Sequence, residues 1–87
     1  ITETERAFWF NGLDIIIEKL AENAPVKAGV VNFLITELIL SYAKTLGNNY
    51  EAYNTIVGIL ECVKQELYRR AVAPYEDKKI QENGDVY

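Results

Sequence analysis

The stretch AGVVNFLITELILSYAKTLGNN, residues 28 to 49, decides how the rest of the chain is read. Val30, Val31, Phe33, Leu34, Ile35, Leu38, Ile39, Leu40, Tyr42 and Ala43 cover most of the circumference of a helix that ends near Leu46. Pro25 is placed in the first turn of that helix, where its missing N–H would be unpaired in any case. A helix that is apolar nearly all round must be covered nearly all round. Two further helices of this length do not easily cover it, so the stretch predicts self-association. Asn32 and Thr36, four residues apart on the same helix, are expected either as a buried polar pair that sets register between helices or as groups lining a ligand pocket; register is preferred.

The segment Leu46-Gly47-Asn48-Asn49 reads as a helix stop followed by a helix start. Gly47 suits the left-handed closing position, and Asn48, with Glu51 three residues on, suits the next N-cap. So short a loop makes the two flanking helices antiparallel neighbours. The third helix is predicted over about Asn49 to Ala73, with Tyr53, Ile56, Val57, Leu60, Val63, Leu67 and Ala71 on its apolar face. Pro74 is expected to break or kink it at Ala73. A short helix then follows, with Glu76 and Asp77 in its first turn and Asn83-Gly84 at its end. Asp85-Val86-Tyr87 remains as a tail.

Upstream, Thr2-Glu3-Thr4-Glu5 is a capping box in sequence. Phe10, Leu13, Ile17 and Leu20 recur at helical spacing, widened by Trp9 and Ile16, so an amphipathic first helix should run from Thr2 to near Asn23. The expected fold is all-α: a three-helix antiparallel bundle or hairpin with a short C-terminal helix after Pro74, completed by oligomerisation. Residues 1–87 form one domain, since a chain of 87 residues has room for a single core. Ile1 in place of a methionine suggests a trimmed start.

Composition narrows the chemistry. Half of the chain is hydrophobic and six residues are tyrosine, enough to build a core. The formal charge is −4, with nine acids against five bases in residues 1–68 and four of each in 69–87. A duplex-binding protein normally carries a basic face, so duplex nucleic acid is not an expected partner. One cysteine, Cys62, and no histidine remove disulfides, Cys/His zinc sites and histidine-based nucleophile pairs, so neither metal nor cofactor is expected. Absence of disulfides fits a reducing, cytoplasmic compartment. The apolar run over residues 28–43 carries Asn32, Thr36 and Glu37 and is too short and polar to span a bilayer. Carboxylates are numerous, but Glu61 and Glu66 share no face well and no phosphate-cradling glycine loop occurs, so no catalytic residue is assigned and an enzyme is not expected.

The segment NYEAYNTIVGILECVKQELYRRAVAPYEDKKIQENGDVY, with VVNFLITELILSYA before it, resembles a family of small uncharacterised proteins encoded by bacteriophages and prophages. The ending ELYRR...PYEDKKIQENGDVY is its most specific part; AFWFNGLDIIIEKL matches less well. The resemblance covers the last two thirds of the chain and implies a phage origin, with a counter-defence or host-takeover role carried out by binding something of the host's.

Candidate sites follow from residue type. Arg69 and Arg70, beside Tyr68 and Tyr75, are the best recognition group: guanidinium forks hold phosphate bidentately, and tyrosine stacks on a base. A small phosphate-bearing, nucleotide-like signal molecule would use both, with Lys78 and Lys79 nearby. Against this stands a plain structural account, in which Glu66 and Arg70 are an i,i+4 pair, cations favour a helix C-terminus and the lysines belong to a solvated charge run. For contact with a second copy or a host protein the candidates are Phe8, Trp9, Gly58, Val86 and Tyr87. Phe8, Trp9 and Phe10 are consecutive and cannot all face one core; two of them are expected inside. Gly12, Gly29 and Gly58 each cost a helix about 1 kcal/mol, which suggests close approach of another backbone. Asn54, Gly58 and Cys62 share one stripe, and Cys62 is expected as a small buried hydrophobe.

Overall fold

A computed structural model describes residues 1–87 and is all-helical. Helix α1 spans Glu3–Glu22, α2 Ala28–Thr45, α3 Tyr50–Leu67 and α4 Ala73–Asn83, with a π-helical turn at Tyr68–Val72 joining the last two. Contacts divide the chain into two units, Ile1–Leu38 and Ile39–Tyr87, with α2 contributing to both. No helix is long and apolar enough to cross a membrane.

In the first unit the capping box forms as expected. The Glu5 N–H donates to the Thr2 hydroxyl at 3.1 Å, and the Thr2 N–H donates back to the Glu5 carboxylate at 3.4 Å. Asn23 closes α1, its side-chain amide donating to the Lys19 carbonyl at 2.8 Å. Pro25, by contrast, does not open α2. Asn23 and Ala24 are engaged in closing α1, and the next hydrogen-bond ladder starts when Val30 and Val31 both donate to the Lys27 carbonyl. Pro25 therefore sits in the connection, and α2 begins at Ala28.

The second unit is organised by the α2–α3 connection. Gly47 (φ +95°) and Asn48 (φ +51°) are both left-handed, the Gly47 N–H bonding the Lys44 carbonyl and the Asn48 N–H the Ala43 carbonyl. This pair of bonds is the Schellman closure of α2. It occupies Asn48, so the N-cap falls one residue later than expected: Asn49 Oδ1 accepts from the Ala52 N–H at 2.8 Å. Beside this corner lie the buried residues of the chain, Ala43, Ala52 and Ile56.

Pro74 does not stop the helix. Ala73 keeps helical angles (φ −61°, ψ −46°), and its N–H bonds the Tyr68 carbonyl five residues back. A proline ring collides with the carbonyl four residues earlier in a regular α-helix, and a widened π turn relieves that collision while the chain stays helical. Gly84 (φ +85°) ends α4, and residues 84–87 form no helix.

Most of the apolar surface lies outside the buried corner. Phe8 and Trp9 are each 68 % exposed, and Phe10, Leu13, Ile17, Val31, Phe33, Leu38 and Leu40 are exposed as well.

Candidate functional site

The amphipathic pattern of α3 carries its polar end to Glu66, and the π turn that follows holds both arginines. Arg70 Nε donates to Glu66 Oε2 at 2.8 Å, and Arg69 Nη2 donates to the same oxygen at 3.0 Å. Two guanidiniums thus converge on one carboxylate and carry a net positive charge at a single place. All three side chains are more than half exposed. The hydrogen bond from Arg70, then that from Arg69, holds the Glu66 carboxyl below the ordinary carboxylate range.

Tyr68 does not join this cluster through its hydroxyl. It donates to Glu76 Oε2 at 3.1 Å, and that bond to the neutral phenol, reinforced by the Glu76 charge, raises the Tyr68 pKa. The partners are eight residues apart. The π turn inserts one extra residue, so positions 68 and 76 align as i and i+7, two turns apart on one face. Tyr75 and Lys79 form a third group: the Lys79 Nζ lies 5.6 Å from the Tyr75 ring centroid and pairs with Glu82 at 3.2 Å. Lys78 makes no ion pair. Of the six residues expected to bind a ligand, Arg69 and Arg70 are brought together, whereas Tyr68, Tyr75 and Lys79 are turned to other partners.

Glu66 and Glu76, neither of them expected as a site residue, are the carboxylates that the candidate side chains engage. The Glu66–Arg70 spacing was readable, and Arg69 shares Glu66 at the equally regular i,i+3 spacing; the Tyr68–Glu76 bond depends on the π turn. Pro74 was the signal for an irregularity there.

The interface candidates are exposed. Phe8 and Trp9 meet edge to face, 5.1 Å between centroids. Neither these two nor Phe10 is buried, so the expected burial of two aromatics is not met within the chain. Val86 and Tyr87 are exposed in the tail. A side chain added at Gly12, Gly29 or Gly58 would meet nothing within 4 Å, so no backbone of the same chain approaches them. Cys62 is exposed as well, contrary to expectation, because the face of α3 that carries it is not covered. Thr36 and Asn32 are also exposed, and the Thr36 hydroxyl donates to the Asn32 carbonyl of its own helix at 2.8 Å, so no buried side-chain pair forms.

An apolar cleft that was not anticipated lies between α1 and α2. Ile15, Ile16, Leu20, Val30, Phe33 and Leu34 line its volume of about 600 Å³. The two stripes were legible separately; their juxtaposition required the loop at 23–27.

No curated protein and no solved structure matches the chain. The family model described as a domain of unknown function, DUF6899, matches residues 1–86, and the chain belongs to that family.

Proposed function

We propose that this is a non-catalytic bacteriophage accessory protein of the host cytoplasm, acting by binding in host interference or counter-defence. It works as an assembly of identical subunits in which the helices complete an antiparallel bundle between copies. The exposed apolar surface carries this reading. Large apolar side chains open within each unit, Phe8 and Trp9 in the first and Leu40 and Val63 in the second, call for a cover, and Ala43, Ala52 and Ile56 are too small a core to hold three helices. The ending ELYRR...PYEDKKIQENGDVY supports the phage origin through its resemblance to phage-encoded proteins.

The convergence of Arg69 and Arg70 on Glu66 favours a second reading: capture of a small phosphate-bearing signal molecule. Guanidinium forks that already hold a carboxylate can exchange it for a phosphate. Native mass spectrometry of protein purified from phage-infected cells tests both. Assembly predicts a multiple of the chain mass, and capture predicts an added mass of nucleotide size that disappears in the Arg69→Ala/Arg70→Ala variant while the assembly remains at high concentration. A bare monomer overturns the first reading, and a ligand-free assembly the second.

A further inference from the structure

The exposed face of α3 carries an inference about how copies meet. Thr55, Gly58, Ile59, Cys62, Val63 and Glu66 line a shallow apolar groove along this one helix. The buried residues Ala52 and Ile56 belong to the corner with α2, so the groove itself is left uncovered. We propose that its occupant is the same groove of a second copy, with the two α3 helices antiparallel about a two-fold axis. This deepens the assembly reading and rests on it.

Charge selects both the occupant and the direction. The groove runs from Thr55 to Glu66, so its midpoint falls between Leu60 and Glu61. Two grooves opposed at their midpoints in antiparallel sense pair positions that sum to 121. Glu51 of one copy then lies opposite Arg70 of the other, twice by symmetry, and the α3 dipoles oppose favourably. A parallel pairing would set Glu51 against Glu51 and Arg70 against Arg70, a like-charge arrangement at both ends.

Shape agrees with this occupant. The antiparallel register also places Gly58 opposite Val63 and beside Cys62 of the second copy. Helices approach closely where side chains are small, which accounts for a mid-helix glycine beside which the chain itself places nothing.

Sedimentation velocity and thiol cross-linking test the pairing together, with circular dichroism confirming that each variant is helical. Glu51→Arg or Arg70→Glu alone should weaken self-association about tenfold, and the double variant should restore it to within about threefold. Mild oxidation of a Gly58→Cys variant should give a covalent dimer that is lost when Cys62→Ser is added. A wild-type chain that sediments as a monomer overturns the assembly reading itself. An assembled wild type whose double charge variant is no better than the singles, or whose Gly58→Cys variant stays uncross-linked, overturns the α3 pairing alone.

Discussion

If folding is completed by a second copy, dilution alone should destabilise the protein, and the size of the effect can be worked out. For a dimer that unfolds to two chains, each tenfold dilution removes about 1.5 kcal/mol from the folded side near 60 °C. Unfolding entropy is about 2.1 cal/mol/K per residue. For two chains of 87 residues that amounts to about 0.37 kcal/mol/K. The midpoint should therefore fall by about 4 °C per tenfold dilution, or about 12 °C between 100 μM and 0.1 μM. Trp9, 68 % exposed in the single chain, supplies the optical probe if the assembly covers it. Differential scanning fluorimetry on intrinsic emission reads the melting midpoint over this range and shows whether dilution shifts the tryptophan to the red. A midpoint that stays constant within 1 °C over the thousandfold range would refute the reasoning, because only a monomer has a concentration-independent equilibrium midpoint.

Three further outcomes concern the local structure. Gly47→Ala puts a Cβ at φ +95° and should cost about 1–2 kcal/mol in urea unfolding. Asn49→Ala removes the cap of α3 and should cost about 1 kcal/mol, whereas Asn48→Ala removes no side-chain cap bond; equal losses at 48 and 49 would contradict the observed register of the turn. The Glu66 carboxyl should titrate below its ordinary value of 4.5 by NMR, moving back up in Arg70→Ala. Because its folded pKa is the lower one, its ion pairs contribute fully above the unfolded carboxylate pKa, and the contribution is lost as pH falls through the folded value. A normal Glu66 titration would mean that neither arginine holds it in solution.

Local chemistry was legible wherever the partners were close in sequence. The Thr2–Glu5 box, the Gly47 closure and the Glu66–Arg70 pair all act within four residues or a single dihedral angle, and each stands where its residues place it. Boundaries were less legible where one position could serve two helices. Asn48 was read as the cap of α3, but the closure of α2 engages it and Asn49 takes that role. Pro74 was read as a break or a kink at Ala73 because a proline ring excludes a regular α-helical turn; that a π turn would carry the helix past it depended on the geometry of residues 68–72.

The sequence by itself determined that the chain is helical, where its helices lie within a few residues, and that no histidine or paired-cysteine chemistry is open to it. Propensity, capping and residue inventory are local quantities, and they needed no partner to be evaluated. What only the tertiary structure decided is which apolar positions the chain covers for itself. Periodicity marks a face as apolar without saying what lies against it, so Phe10, Leu13, Ile56 and Cys62 read alike as interior residues. In the folded chain Ile56 is 6 % exposed at the corner beside α2, and the other three remain open. Burial belongs to a pair of surfaces, and the sequence of one chain describes only one of them.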